Sequence, residues 1–347
     1  MTLDIAAILA VDGIATGAVY VLVAIGTVLI FTVTRVMFIP FGDIAAFTAL
    51  TLAALETKRL PGTAGLVIVL ACLAALVEAV SLARRGRAWR IPKSLALYLG
   101  LPLAVVALGW ALAPLDLPMP VRIGLALALV MPISPLLDRI VFQPIADATV
   151  LLLLIVSMAL HFALVGLGLL FFGPEGIRTA PLTEMSFDVG GVLITGQAAL
   201  IVVTGLVLSA LLYLFFDFTL IGKALRATAI NRTGARLMGI RPARAGTVAY
   251  LLGSVMAGVS GILIAPVNTI FYDSGFLLGL KAFVGAIIGG LTSYPATALG
   301  ALLVGVLESF AAFQSSALKD VIVFSLLIPI LLWRSLGSLH SEEESEE

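Results

Sequence analysis

The sequence predicts an all-α, polytopic transmembrane helical bundle of about ten spans, and three observations carry that prediction. The first is composition. Of 347 residues, 61% are hydrophobic and 12% charged, with mean hydropathy +1.18. A soluble domain carries about 25% charged residues and needs polar surface to cover itself. The second is a set of uncharged runs. Residues 94–113 (SLALYLGLPLAVVALGWALA) hold no ionisable side chain except Tyr98, and 148–172 and 192–214 read alike, the former with one His. Each is close to the ~20 residues that cross a ~30 Å hydrocarbon layer as a helix. The third is an uneven division of Lys and Arg between the loops.

In chain order, spans are expected at 12–34, 38–57, 62–83, 94–113, 121–141, 148–172, 192–216 and 245–268. Two short elements follow within 278–313, then a last span at 318–335. Residues 5–11 read as a short interfacial helix ahead of the first span. Segment 278–313 is Gly-rich and broken near Thr292-Ser293-Tyr294-Pro295. If one half is re-entrant the total is ten, and if both cross it is eleven. A membrane barrel is disfavoured, because its strands would alternate apolar and polar residues over ~10-residue segments.

Orientation follows from the basic residues. With loop 217–244 in the cytoplasm, fourteen of the twenty Lys and Arg fall on that side and five on the other, with Lys281 in the membrane region. That bias obeys the positive-inside rule and puts the N-terminus outside and the C-terminus inside. The chain then reads as one transmembrane domain over 1–347, with a cytoplasmic loop at 217–244 and an acidic cytoplasmic tail at 338–347.

Several function classes are disfavoured. Net charge is zero, so nothing points to nucleic acid. The single cysteine, Cys72, allows no disulfide within the chain. The N-terminus lacks a basic n-region, so no cleaved signal peptide is expected. No phosphate-binding loop is present: Gly222-Lys223 lacks both the first glycine and the Ser or Thr of that motif. The chain is therefore not expected to be an enzyme or to carry a cofactor or metal, and any ATP hydrolysis belongs to another chain.

The longest polar stretch, 217–244 (DFTLIGKALRATAINRTGARLMGIRPAR), is strongly basic. Within it Ala227, Ile230, Gly234, Leu237 and Met238 recur at helical spacing, with Arg232 and Arg236 on the opposite face. Gly239 is placed as a C-cap, and Pro242 blocks continuation. Such a short amphipathic helix either docks its apolar face in a partner's groove or lies on anionic lipid.

Ionisable residues within the spans are Asp43, Glu78, His161, Lys281 and Glu308. Each costs ~2.5–3.5 kcal/mol or more at mid-bilayer and so is a functional candidate. Asp43 follows Pro40 and Gly42, and either caps the second span or contacts a ligand. Glu78 lies near Arg84 and Arg85 and snorkels or pairs with them. His161 and Ser157 form an i, i+4 pair with no acid partner in sight and read as packing. Lys281 and Glu308 either pair with each other or contact substrate. The broken segments FIPFGD (38–43) and YDSGFLLGLKAFVGAIIGG (272–290) suit a substrate site, because freed N–H groups and helix termini bind charged ligand ends. Gly285, Gly289 and Gly290 equally suit close helix packing.

The run GKALRATAINRTGARLMGI resembles the cytoplasmic loop of the branched-chain amino acid ABC importer permease family, whose pattern is GRAMRA…N…A..LMGI. The resemblance continues through VAYLLGSVMAGVSGILIAPV (248–267), GFLLGLKAFVGAIIGGLTSYPATALGALLVGVLESF (275–310) and KDVIVFSLLIPILLWRSLG (319–337). Upstream, DRIVFQPI (138–145) and GAVYVLVAIGTVLIFTVTRVMFIPFGD (17–43) are also similar to it. The family commonly reads NFAHG where this chain has Phe38–Gly42, so Phe41 replaces a His. Residues 62–113, with the basic loop RRGRAWRIPK, look like a two-span insertion relative to an eight-span permease.

The resemblance implies an ABC importer permease of the prokaryotic inner membrane that passes branched-chain or related amino acids. It implies two cytoplasmic ATPase subunits, a second permease subunit, identical or homologous, and an external solute-binding protein. Coupling to the ATPase falls to Ala227, Ile230, Asn231, Arg232, Gly234, Arg236, Leu237, Met238 and Gly239. The substrate path is expected along Phe41, Gly42, Asp43, Lys281 and Glu308. The rival reading is a stand-alone secondary transporter or channel, which calls for several intramembrane carboxylates and no docking helix. An intramembrane enzyme would need a convergent catalytic set.

Overall fold

A computed structural model of the chain describes residues 3–84, 86–189, 192–325, 329, 330 and 332. The expected acidic tail and seven of the eighteen residues of the expected last span (318–335) lie outside the described residues. Thirteen helices and one hairpin are present among those described. Eight helices are long and apolar enough to cross a membrane.

Helix α1 runs unbroken over Leu3–Thr34, so the expected separate interfacial helix at 5–11 is instead its first turns. The continuity has a packing cause. Gly13 and Gly17 let α1 lie directly on Gly305 of the twelfth helix, where a Cβ on Gly13 would stand 2.7 Å from the Val306 backbone. Arg35 ends the helix in the left-handed region at φ 63°, and its N–H donates to Phe31 O at 2.8 Å.

Helix α2 (Phe41–Glu56) has 16 residues, fourteen of them buried. At 1.5 Å per residue it covers only about 24 Å, less than a ~30 Å hydrocarbon layer. It is the central helix, packed by α1, α5, α6, α10 and α11, whose ranges follow. Thr48 and Thr51 donate their hydroxyls back to Ile44 O and Phe47 O, so both hydroxyls are satisfied within the apolar core.

Helices α3 (Thr63–Arg84) and α4 (Ala88–Leu112) cover the expected 62–113 segment. They pack on the flank of α5 (Met119–Ile145), which carries a π-helical turn at Asp138–Phe142. Helix α6 spans Val150–Phe172, capped by Thr149, whose Oγ1 accepts from Leu152 N at 3.3 Å.

The span expected from 192 starts later. Strand β1 (Ser186–Val189) pairs antiparallel with β2 (Val192–Thr195), Ser186 opposite Thr195. Helix α7 then occupies Gly196–Phe218, with Thr195 Oγ1 accepting from Ala198 N at 3.3 Å. An apolar Val-Leu-Ile run reads equally as strand or span start, and the Thr cap decides where the helix begins.

Helices α8 (Leu220–Ile230) and α9 (Arg232–Leu237) form the polar stretch before α10 (Pro242–Ile264). The 278–313 segment resolves into α11 (Gly275–Ile288) and α12 (Tyr294–Gln314). With 14 residues, α11 reaches about 21 Å and is again shorter than the hydrocarbon layer. Gly285 of α11 lies on Ala301 of α12 and Gly289 on Thr297, which matches the close-packing reading of those glycines. Helix α13 begins at Lys319 and runs to Ser325.

Candidate functional site

The two short helices start at the same place. A Cβ on Gly42, in the first turn of α2, would overlap the Gly275 carbonyl oxygen at the start of α11 and would also crowd Gly279 N at 2.7 Å. Only glycines permit that approach. Two helix N-termini, each with unpaired N–H groups and a partial positive charge, thus converge in the core.

Asp43 sits at this junction, 1% exposed. It does not cap α2: the cap residue is Pro40, with no side-chain cap bond. One carboxylate oxygen, Oδ2, is 2.7 Å from His161 Nδ1 on α6. The other, Oδ1, faces the first turn of α11, 2.5 Å from where a Cβ on Gly275 would stand, and has no hydrogen-bond partner among the described residues. The acid partner for His161 that sequence reading found missing is therefore Asp43. Ser157 does not serve His161; its Oγ accepts from Ile39 N at 2.9 Å and so pins the loop between α1 and α2. His161 also stacks on Phe276, ring centroids 4.8 Å apart.

Phe276 carries the site into a cavity of about 210 Å³. Phe38, Phe41, Met158 and Phe283 are among its walls, and Thr27 adds the one side-chain hydroxyl. Phe41 reaches this wall because Gly26 of α1 and Gly253 of α10 leave room for its ring. The arrangement can hold an aliphatic group within one helical turn of a buried carboxylate.

Lys281 and Glu308 belong to a second cluster across α2. Lys281 Nζ lies 2.5 Å from Glu308 Oε1 and 2.8 Å from Asp320 Oδ1. Tyr20 donates to Glu308 Oε2 at 2.5 Å, and Lys319 Nζ stands 3.7 Å from Glu308. Of the two readings left open, the ion pair is the one observed, and it ties α1, α11, α12 and α13 together. The cluster lines a separate cavity of about 300 Å³ with Asn268, Thr269 and Ser274.

Glu78 does not pair with Arg84, and Arg85 lies outside the described residues. It forms an ion pair with Arg139, in the π-helical turn of α5. Arg139 also donates to Gln143 Oε1 at 2.7 Å, and Gln143 Nε2 donates to Asp138 Oδ2 at 2.7 Å. This network fastens α3 to the core.

The stripe from Ala227 to Met238, expected to lie on one short amphipathic helix, falls across two helices. Asn231 breaks the chain at φ −145°, ψ 98°, and its Oδ1 accepts from Gly234 N at 2.8 Å, capping α9. Asn prefers such local bonds to a helix interior, so the break is chemical. Gly239 terminates α9 as expected, at φ 83°, with its N–H on Arg236 O at 3.1 Å. The inward face of α8 is Gly222, Leu225 and Thr228, against Leu29, Val33 and Phe216. Ala227 and Gly234 are half-buried. Ile230, Leu237 and Met238 are 78%, 84% and 82% exposed. Arg236 is exposed too, while Arg232 is half-buried with its Nε lacking a hydrogen-bond partner.

The residues that sequence reasoning missed are Tyr20, Arg139 and Asp320, together with the pairing of Asp43 to His161. Asp43 and His161 are 118 positions apart, and no periodicity links them.

Comparison with known proteins agrees with this architecture. The family described as "Branched-chain amino acid transport system / permease component" matches residues 9–331. The high-affinity branched-chain amino acid transport system permease protein LivH of Salmonella typhimurium is 31% identical over 215 residues, 60% of this chain and 70% of LivH. LivH of Escherichia coli K12 is 30% identical over the same length and shares. BraD of Pseudomonas aeruginosa, a permease protein of the same description, is 31% identical over 214 residues, again 60% and 70% of the two chains. No solved structure matches the chain. With the family matched over nearly its whole length and these relatives covered over most of theirs, the chain belongs to the branched-chain amino acid transport system permease family.

Proposed function

We propose that this chain is the membrane-spanning permease subunit of an ATP-binding-cassette importer for branched-chain or related amino acids. It works with two cytoplasmic ATPase subunits, a second permease subunit and an external solute-binding protein. In the prokaryotic inner membrane its N-terminus is outside and its C-terminus inside, as the basic-residue bias supports.

The observation that carries the reading is the elbow between α8 and α9. Three large apolar side chains, Ile230, Leu237 and Met238, stand more than three-quarters exposed on a basic polar stretch. A soluble face of that kind calls for a partner groove. Asn231, Arg232, Gly234, Arg236 and Gly239 set its shape, and Ala227 backs it. Closure of the ATPase pair would push on this elbow and tilt the helices it joins, α7 and α10.

On the substrate side, the cavity against Phe41 suits a branched aliphatic side chain, and Gly42 and Asp43 place the two helix starts beside it. Lys281 and Glu308 hold the second cavity. The names of the relatives support the substrate class. The test is Leu237→Asp with Met238→Asp in the assembled transporter. Loss of both ATPase co-purification and amino-acid uptake, with the permease still monodisperse, is expected. Retention of both would remove the coupling assignment.

A further inference from the structure

The outer face of α3 forms a continuous apolar track that ends on a cation. Ile68, Cys72, Leu76, Val80 and Arg84 follow one another at four-residue spacing, and all five are exposed. From Ile68 to Arg84 the track covers about 24 Å, most of the thickness of a hydrocarbon layer. At its basic end the track deepens into a crevice of about 510 Å³ between α3 and α5, walled by Leu76, Val77, Val80 and Pro144. Arg84, Arg139, Ser81 and Gln143 close that end.

The charges there are unevenly used. Arg139 is committed to Glu78, yet its Nε is buried without a hydrogen-bond partner. Arg84 has no ion-pair partner among the described residues. The chain continues into the loop RRGRAWRIPK, which holds five basic residues and no acid. Arg87, Arg90 and Lys93 of that loop are exposed and unpaired among the described residues. Trp89 is 74% exposed, with the Arg90 guanidinium 4.7 Å from its ring centroid. Trp beside Arg at a helix end is the composition of a membrane–water interface. The acidic groups nearby are occupied: Glu78 holds Arg139, and Asp138 accepts from Gln143 and Thr247.

We propose that this crevice retains an anionic phospholipid, its phosphate on Arg84 and the 87–93 cations and an acyl chain along Ile68, Leu76 and Val80. An apolar track as long as an acyl chain, joined to unpaired guanidinium groups at headgroup level, matches both parts of such a lipid. A soluble anion would use only the charged end.

The test uses the full-length protein, exchanged with vesicles of equal parts phosphatidylcholine and phosphatidylglycerol, then examined by native mass spectrometry. Phosphatidylglycerol is expected to remain bound in preference to phosphatidylcholine. The variant Arg84→Gln/Arg87→Gln/Arg90→Gln should weaken retention at least about fivefold per guanidinium that touches the headgroup, following ~1 kcal/mol per cation near an anionic surface. Leu76→Trp, which fills the crevice and leaves every arginine in place, should weaken it as well. Retention unchanged in either variant, no preference between the two lipids, or displacement by millimolar inorganic phosphate would overturn the proposal. If the triple variant fails to fold, Leu76→Trp and the phosphate competition decide alone.

Discussion

Lys281→Met is the sharpest perturbation the structure offers. The Lys281 side chain is 7% exposed and holds two carboxylates, Glu308 at 2.5 Å and Asp320 at 2.8 Å. Removing it leaves Glu308, itself 10% exposed by side chain, beside a second acid. Stranding a buried charge costs about 3–5 kcal/mol. Two features of this site pull toward the lower figure. Lys319 remains 3.7 Å from Glu308, and Tyr20 still donates to it at 2.5 Å. Asp320 is 34% exposed by side chain and recovers some hydration. A loss of about 3 kcal/mol is therefore expected. The assay is equilibrium unfolding in mixed micelles, followed by Trp fluorescence. The double variant Lys281→Met/Glu308→Gln removes the stranded charge and should recover most of the loss, a coupling well outside the ~0.5 kcal/mol of independent sites. A single-variant loss under about 1 kcal/mol, or a double variant that shows the plain sum of the two single losses, would refute the argument. The first result would mean the cluster is hydrated, and the second that Lys281 and Glu308 act separately.

Three further variants have outcomes set by the geometry. Gly42→Ala should lower folded yield and destabilise by about 1–3 kcal/mol, because its Cβ meets the Gly275 carbonyl. Gly166→Ala, with nothing within 4 Å, should leave yield unchanged by size-exclusion chromatography. Asn231→Ala removes the cap of α9 and about 1 kcal/mol of local stability, so uptake per assembled transporter should fall while the unfolding midpoint of the core holds. A wild-type uptake rate in that variant would separate the elbow's shape from its role.

How far the sequence could be read varied with the kind of interaction. The helical membrane bundle followed from hydropathy over ~20-residue windows, which is a local property of the chain. The Gly239 terminus was legible because a left-handed C-cap is set by one residue. The Asn231 break was missed because the apolar stripe from Ala227 to Met238 keeps helical spacing across it, while the competing cap bond to Gly234 is a side-chain choice. Likewise Val192–Thr195 is apolar enough for a span start, and only the pairing with Ser186–Val189 shows it to be a strand.

The candidate site divided in the same way. Asp43, Lys281 and Glu308 stood out in the sequence because a charge in an apolar run is conspicuous on its own. Apart from Lys281 with Glu308, their pairings did not. Asp43 meets His161, Glu78 meets Arg139, and Lys281 meets Asp320 as well as Glu308, each across a helix–helix contact. The sequence by itself determined the class of solvent this chain lives in, the uneven share of basic residues among its loops and the polar stretch between α7 and α10, since each depends on composition summed over a segment. Tertiary structure alone decided where α2 and α11 begin against each other and which charges neutralise which. Those depend on how closely Gly42 and Gly275 let two backbones approach, and no local pattern encodes the distance between helices.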